Sequence, residues 1–489
     1  GRSRGGNLLF YQLAGLAPLG ACYLTASEWY RNMESELPFR LPRGLLVAGP
    51  AFFYLTLCFV RPAGRNAVLL GFMVASAGCW VAAGRQLRRP LLYAAAFTGS
   101  VMAFWCWMTR SYSPDRINVP LAALALLYIT YVAAAEFWRR EDMQGPVAFS
   151  LPLHLFTIAF LHLTLAFTRA GGHHRLFLCY LAIITLGSAA FYGLRRRSLP
   201  AVAVLGGAPV PFWVWLAQSH TPALQFEALA FITVLFGAGM AFALYEGMRE
   251  RAAEWRPEFV SWGACVFLYA SLMAISYAAG PWAFLVYLAA VSVPVLVVSV
   301  RWRWRGLYLA VLCGTSAVFA FWLGRAYAPD RLTAAVTMLS VLTAELLAVT
   351  PAMQLTGPRT DRWQETVQLV GSAAFSYFSF HWLLYSRHYE ALGPVVLGFA
   401  GLYGAYTALQ RRFWPGVEKL LQAALALSLV LLTWGIHLSF SGPWVPILWA
   451  LEGLGLVVLR LRPRFYWVGW GALVIFCLSV GRTFGDAGE

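Results

Sequence analysis

Residues 281–300 read PWAFLVYLAAVSVPVLVVSV, a stretch without a single charged side chain. A helix of about twenty residues is about 30 Å long, which matches the hydrocarbon core of a bilayer. Three arginines follow at once, at Arg301, Arg303 and Arg305, where such a helix would leave the membrane. The stretch therefore predicts a transmembrane helix, and its composition is typical of the whole chain.

Similar apolar blocks recur along all 489 residues, of which 60% are hydrophobic and only 12% are charged. A soluble domain has roughly 25% charged residues, so a water-soluble fold could not hide this much apolar surface. The blocks are continuous, whereas a membrane β-barrel needs short segments of alternating polarity. We therefore predict an all-α, polytopic integral membrane protein in the lipid bilayer, with about 18 transmembrane helices. They lie within residues 7–25, 45–62, 67–83, 90–108, 118–138, 147–168, 176–194, 199–216, 224–246, 259–279, 281–300, 306–324, 332–355, 365–386, 391–409, 416–436, 442–460 and 465–482.

The formal net charge of +16 comes from arginines that lie between the apolar blocks rather than in one patch. Such loops follow the positive-inside rule, so the charge does not predict a nucleic-acid partner. Lys419 is the only lysine, a poor candidate for Schiff-base or phosphate-binding chemistry. The eight cysteines lie inside apolar blocks without a C-x-x-C pair, so we interpret them as small core residues.

The richest arginine clusters fall in odd-numbered connections of this helix order, which predicts that those connections are cytoplasmic. With an even number of crossings, both termini then face outward. The clusters are Arg85, Arg88 and Arg89; Arg195, Arg196 and Arg197; Arg301, Arg303 and Arg305; and Arg460, Arg462 and Arg464.

An internal repeat emerges at a spacing of 215 residues, the separation of Leu92 and Leu307. A single frame covers three helices, so we predict two eight-helix halves, residues 1–220 and 221–436, followed by a terminal helix pair in 437–489. An even number of helices separates the copies, which implies a parallel duplication about an axis along the membrane normal. The matches are Phe52, Tyr54, Leu57, Leu92-Tyr93, Ala95, Gly99, Phe104, Trp107, Arg110, Tyr112 and Pro114-Asp115-Arg116 with Phe267, Tyr269, Leu272, Leu307-Tyr308, Ala310, Gly314, Phe319, Trp322, Arg325, Tyr327 and Pro329-Asp330-Arg331.

The repeat contains the signature R-x-Y-x-P-D-R twice, on the predicted outer side. Proline and aspartate suit the first turn of a helix, so one interpretation is a capped helix with an arginine–aspartate pair. The other is a substrate site, in which arginine pairs bind an anionic head group or carboxylate through bidentate hydrogen bonds. The candidate binding residues are Arg110, Tyr112, Asp115, Arg116, Arg325, Tyr327, Asp330 and Arg331.

Two glutamates, Glu345 and Glu452, lie deep within predicted helices. Carboxylates in lipid usually face a protein interior or a water-filled cavity, so we consider proton coupling and helix packing as alternatives. Glu136, Glu227 and Glu246 lie nearer helix ends, where solvent or snorkelling can relieve their charge.

The histidines favour the predicted outer half, and none falls in a predicted cytoplasmic loop. His162 and His381 occupy equivalent helices of the two halves and are further candidates for proton coupling, with a packed polar contact as the alternative. The histidines could also form a metal-binding vestibule, but clustered ligand spacing is absent and we predict no metal and no cofactor. The others are His154, nearer mid-membrane, and His173, His174, His220, His388 and His437.

The closing helices carry Leu431-Leu432-Thr433-Trp434, Ser441-Gly442-Pro443-Trp444 and the element W-A-L-E-G at residues 449–453, before Arg460 and Arg462. They resemble the end of a large uncharacterised bacterial membrane-protein family, the domain of unknown function 2339. The resemblance implies a multi-pass protein of the bacterial cytoplasmic (inner) membrane and singles out Glu452, but it brings no established activity. Members of that family begin with a cytoplasmic coiled coil that this sequence does not show, so we expect a divergent or a trimmed member.

Three functions remain open. The first is a carrier or flippase-like protein for an anionic or lipid-linked envelope substrate, with a glutamate that exchanges a proton. The second is a non-catalytic scaffold that holds other membrane subunits of an envelope complex. The third is a membrane transferase with a lipid-linked donor, for which Asp115, Asp330, His173 and His174 are acid–base candidates.

Overall fold

Helices account for nearly all of the described residues, and no strand occurs among them, which confirms the predicted all-helical class for this part of the chain. The computed structural model describes residues 50, 53–55, 57–58, 66–86, 90–141, 150–249, 257–276, 281–356, 363–385, 388–413, 418–441, 444–460 and 468–486. The predicted helix at 7–25 and most of the one at 45–62 lie outside these ranges.

The α-helices follow one another with short connections. In chain order they are α1 (Asn66–Gln86), α2 (Pro90–Ser111), α3 (Asn118–Glu141), α4 (Ser150–Phe167), α5 (His174–Leu194), α6 (Ser198–Gly207), α7 (Pro209–Ser219), α8 (Gln225–Arg249), α9 (Pro257–Ile275), α10 (Pro281–Trp302), α11 (Arg305–Ala326), α12 (Leu332–Thr356), α13 (Trp363–Tyr385), α14 (Tyr389–Phe413), α15 (Glu418–Ser439), α16 (Trp444–Arg460) and α17 (Val468–Asp486). Short 3-10 turns precede α3, α8 and α12, at Pro114–Arg116, Pro222–Leu224 and Pro329–Arg331.

Twelve spans among the described residues are long and apolar enough to cross a membrane. They lie in α1, α3, α4, α5, α6 with α7, α8, α9, α10, α11, α12, α14 and α15. Among the described residues, α2 and α13 are not counted with these spans. The apolar parts of α16 and α17 are shorter than a full span. The chain is therefore a membrane protein with many apolar helices, and the count of about 18 crossings stays a prediction.

The helix predicted at 199–216 is interrupted, since α6 ends at Gly207 and α7 begins at Pro209. Pro209 and Pro211 cannot donate backbone hydrogen bonds, and their rings disturb the preceding turn, which explains the break. Together α6 and α7 still form one apolar span, Ser198–Ser219.

The chain divides within α9 into two units, the first ending at Phe267 and the second beginning at Leu268. In the first unit α1 packs on α2 and α3, and α3 packs on α4. In the second unit α10 packs on α11 and α12, and α12 packs on α13. The predicted boundaries at 220 and 436 and the eight-helix duplication stay predictions.

One tyrosine–glycine contact recurs in both units. The Tyr54 ring lies directly on Gly99 of α2, and the Tyr269 ring lies directly on Gly314 of α11. A β-carbon at either glycine would overlap the ring. Glycine is therefore required there for two helices to approach closely, as small residues allow in membrane proteins.

Large apolar side chains on the outside of the helices are exposed, among them Phe226 at 80% and Ile183 at 71%. Such a surface would be unfavourable in water and suits a lipid environment. Inside, hydroxyl groups pair between helices, as in Ser100 with Tyr131 at 2.7 Å and Thr343 with Ser376 at 2.8 Å. These pairs satisfy polar groups that lipid cannot.

Two arginine-rich turns have an unusual backbone. Arg196 has φ 59° and Arg303 has φ 56°, the left-handed region that favours glycine, and both side chains are exposed.

Candidate functional site

The first signature turn, Arg110 to Arg116, is fastened at two points. The guanidinium of Arg110 donates from Nη1 to the carbonyl oxygen of Cys58 at 2.7 Å. The Tyr112 hydroxyl donates to the carbonyl oxygen of Arg169, and burial raises the pKa of Tyr112 to about 12. Asp115 is exposed and accepts from the Ser113 hydroxyl at 3.4 Å.

The connection at 168–173 covers this turn. A β-carbon on Gly171, whose φ is +55°, would lie 2.7 Å from Pro114, so the two loops touch. The loops bring His173 and Arg169 to the same side as the signature. Arg116 is exposed and lines a small pocket of about 120 Å³ with Trp107.

The second signature turn, Arg325 to Arg331, uses its arginines differently. The guanidinium of Arg331 donates from Nη1 to the carbonyl oxygen of Ala326 at 2.7 Å. Arg325 lies over the Phe321 ring at 4.6 Å, a cation–π contact. Tyr327 packs edge-on against Trp382, with ring centroids 5.4 Å apart. In each turn one arginine therefore fastens the backbone, Arg110 in the first and Arg331 in the second, and a role of the signature in substrate binding stays a prediction.

Glu345 lies in the middle of α12, inside an apolar span. The Ser292 hydroxyl on α10 lies within hydrogen-bond distance of Glu345 Oε2 and 2.8 Å from the carbonyl oxygen of Ala289, so its single hydrogen is donated to one of the two oxygens at a time. The carboxyl group therefore joins two neighbouring helices of the second unit. This contact is compatible with both interpretations of Glu345, helix packing and proton exchange.

Glu452 lies on α16 and accepts from the Thr433 hydroxyl of α15 at 2.9 Å through Oε1. The Trp449 indole donates to the Thr433 carbonyl at 3.0 Å and lies over His437 at 6.0 Å. The other carboxyl oxygen, Oε2, is buried, and within the described part of the chain no hydrogen bond reaches it. A buried polar atom in this state is costly in an apolar environment.

The histidines His162 and His381 share this property. His162 is 3% exposed, and its Nδ1 lies 2.9 Å from the carbonyl oxygen of Ile158. Its ring presses on Gly207, at the break between α6 and α7, where a β-carbon would lie 2.7 Å from Nδ1. His381 stacks between Tyr377 and Tyr385. The His162 Nε2 and the His381 Nδ1 are buried, without a hydrogen-bond partner among the residues the structure describes.

The remaining histidines make separate contacts. His154 lies 2.9 Å from the Tyr192 hydroxyl, and His174 accepts from the Trp215 indole at 3.2 Å. His220 is half-buried in a connection, and this desolvation lowers its pKa. Within the described ranges no group of three or more histidine, cysteine, aspartate or glutamate residues could hold a metal ion, and the absence of a metal stays a prediction.

An ion cluster that the sequence did not predict lies near the end of α3. Glu136 is only 7% exposed. The expectation that solvent or snorkelling would relieve the cost of its charge is therefore wrong. Arg195 lies 3.2 Å from Glu136 Oε1, and Arg197 lies 3.2 Å from Oε2. Arg195 and Arg197 follow α5, far from Glu136 in the sequence, and only the fold brings them to it.

Comparison with known proteins extends the resemblance drawn from the closing helices. No curated protein and no solved structure matches the chain. Residues 268–485 match the family described as "Predicted membrane protein (DUF2339)", a match that covers nearly all of the second unit and somewhat less than half of the chain. The second unit is therefore similar, over almost its full length, to this uncharacterised family of membrane proteins, which confirms the predicted family resemblance.

Proposed function

We propose that the protein is a proton-coupled carrier, or flippase-like protein, for an anionic or lipid-linked envelope substrate. The observation that supports this most is the set of buried polar atoms without partners on His162, His381 and Glu452. In the described part of the chain such atoms also occur on packed residues such as Trp322, so what distinguishes these three side chains is that a carboxyl or imidazole group can take up and release a proton. A group that exchanges protons needs a vacant lone pair or an exchangeable hydrogen in reach of its pathway.

The signature turns would supply the attraction for the substrate. Arg116 and Arg325 are exposed, and neither guanidinium caps a helix in the described structure. Both stand beside aromatic residues, Trp107 and Phe321, on which the apolar part of a substrate could rest. Arginine at such a position binds phosphate or carboxylate well because its planar fork donates two hydrogen bonds at once.

A transport assay with the whole chain in proteoliposomes tests this proposal. The substrate is a fluorescent phosphatidylglycerol, and flux between leaflets is measured with and without a proton gradient. We expect gradient-dependent flux that Glu452→Gln abolishes, because the amide cannot release a proton. Glu390→Gln, at an exposed position, is the matched control and should leave the flux unchanged.

Proton coupling would be contradicted by flux that depends neither on the gradient nor on Glu452→Gln, measured with equal amounts of folded protein. Glu345→Gln extends the test, since each glutamate has one hydroxyl partner, Ser292 for Glu345 and Thr433 for Glu452. A loss of folded protein instead of flux would favour helix packing as its role.

A scaffold function is the second candidate, and the helix-end contacts of Arg110 and Arg331 favour it. These contacts and the Ser292–Glu345 bond hold helices in place. A scaffold should keep other membrane subunits when it is purified in mild detergent. Recovery of the chain alone, at full stability, would count against it.

A transferase is the third candidate, because the 168–173 connection packs on the first signature turn. Asp115 and Arg116 follow Pro114 in this turn, and His173 ends the connection that packs on it, a set of residue types suited to acid–base work on a phosphate-linked donor. Turnover of a polyprenyl-phosphate-linked sugar by detergent-purified protein, without a gradient, would support it. Asp115→Asn and His173→Gln should then stop turnover.

We further propose that the protein lies in the bacterial cytoplasmic membrane with both termini outside. Cysteine substitutions at Ser219 and Arg196 test the orientation, because they lie in connections predicted to face opposite sides. An impermeant thiol reagent should label the first position and not the second in intact cells. The reverse pattern would invert the topology.

A further inference from the structure

An open groove of about 730 Å³ lies between α3 and α5 in the first unit. Its walls are mainly apolar and include Ile129, Val132, Ile183 and Phe191. Ile129 and Ile183 are 59% and 71% exposed, so the groove opens sideways, toward the surface that suits lipid. Gly187 forms part of the floor, and a β-carbon there would meet nothing within 4 Å.

One end of this groove is basic. Glu136 and Arg195 both line it, and Arg195 also lies over the Phe191 ring at 5.5 Å. Two of three consecutive arginines, Arg195 and Arg197, pair with the Glu136 carboxylate, and Arg196 is exposed, so these four side chains together carry a net positive charge. The Glu136 carboxylate holds the Arg195 guanidinium at this end of the groove, and Arg196 follows it in the chain.

The basic end lies away from the signature turn. The signature immediately precedes α3, whereas Glu136 lies near the other end of this helix, about 27 Å along its axis. The groove is thus separate from the candidate substrate surface. Basic side chains beside a lateral apolar groove are the arrangement that binds the head group of an anionic lipid.

We propose that this groove binds one anionic glycerophospholipid, with an acyl chain along α3 and α5 and its phosphate at Arg195 and Arg196. The charge is complementary, because a phosphate adds the negative charge that Glu136 alone does not supply. The groove volume falls within the range of small-molecule sites in proteins. The proposal stands without the carrier function, since it uses none of its residues.

Native mass spectrometry of the full chain, released from nanodiscs, tests the proposal. The nanodiscs contain equal amounts of phosphatidylglycerol and phosphatidylcholine with identical acyl chains. We expect retained phosphatidylglycerol on the unmodified protein and little phosphatidylcholine. Equal retention of both lipids would overturn the charge argument.

Two variants locate the lipid. Gly187→Phe fills the groove floor and should remove most of the retained phosphatidylglycerol, whereas Gly237→Phe on α8 should not, because Gly237 has equally open space outside the groove. Arg196→Asn keeps a residue that tolerates positive φ and removes one charge, so it should weaken phosphatidylglycerol retention about five-fold.

Unchanged lipid retention in both Gly187→Phe and Arg196→Asn would overturn the proposal. If Gly187→Phe fails to fold, the Arg196→Asn comparison still decides it. A Gly187→Phe protein that loses its lipid yet keeps gradient-dependent flux would support this site and leave the carrier proposal intact. If Gly187→Phe instead retained its lipid, this groove would not be the lipid site, whatever the flux.

Discussion

The two signature turns share their aromatic packing but differ in their arginines. In the first unit Trp107 and Tyr112 meet at 6.5 Å, and in the second Trp322 and Tyr327 meet at 6.3 Å. A second pair of rings is also equivalent in the two units: the ring centroids of Phe104 and Phe160 are 6.1 Å apart, and those of Phe319 and Phe375 are 5.9 Å apart. Both partners of each pair keep the spacing of 215 residues seen in the sequence.

The arginines do not follow this correspondence. In the first unit Arg110, in the last turn of α2, holds the carbonyl oxygen of Cys58, whereas in the second Arg331, in the turn before α12, holds the carbonyl oxygen at the end of α11. The aromatic rings thus form a common framework, and each unit uses a different arginine to fasten it. The comparison separates Arg110 and Arg331, which contact the backbone, from Arg116 and Arg325, to which the carrier proposal gives the substrate.

The largest expected effect is at the two tyrosine–glycine contacts. Gly99→Ala and Gly314→Ala each place a methyl group against a tyrosine ring and should lower the free energy of unfolding by about 1–3 kcal/mol. Gly324→Ala on α11 is the control, because its β-carbon meets nothing within 4 Å. Thermal unfolding in detergent measures all three. Destabilisation by only one of the first two would break the correspondence between the units.

A smaller effect should separate the arginines. Arg331→Ala removes a charged hydrogen bond to the Ala326 carbonyl, from a half-buried side chain, and should cost about 1 kcal/mol of stability. Arg116→Ala should leave stability unchanged, since its side chain is exposed. If Arg116 binds substrate, this variant should lose transport at full expression. Equal losses of folded protein in both variants would assign Arg116 to the fold.

The smallest stability effect concerns the tyrosine hydroxyls. Tyr112→Phe removes the bond to the Arg169 carbonyl and should cost about 1 kcal/mol or less, whereas Tyr327→Phe should be neutral because Tyr327 uses its ring. Since the pKa of Tyr112 is raised from 10 to about 12, its contribution is complete below pH 10 and is lost between pH 10 and 12. Unfolding curves across that range should differ between the protein and Tyr112→Phe. Identical curves would show that the loop contact carries no stability.

The helices and the signature turns could be predicted from the sequence because both depend on local information. The stretch at 281–300 became α10, and proline and aspartate formed a short turn before α3 and α12. Pro209 and Pro211 also indicate the break between α6 and α7, but the apolar character of the whole stretch predicts one helix there.

Contacts between distant residues could not be predicted in the same way. Glu136 meets Arg195, and Tyr112 meets Arg169, only because the fold brings together segments that are more than fifty residues apart in the chain. A single sequence gives each residue's character but not its partner. The groove beside Glu136 follows from the same packing and was equally hidden.

The left-handed turns at Arg196 and Arg303 have a consequence for how the chain enters the membrane. A residue with a β-carbon is disfavoured in this conformation by about 1–2 kcal/mol, and glycine would relieve it. Since both side chains extend into the surroundings, what arginine adds is its charge. A positive charge acts while the nascent helices are being oriented, before any packing exists. Folded stability at these two bends is therefore lower than glycine would allow, and the proposed orientation of these loops gives a reason for arginine there, because its charge would act during synthesis.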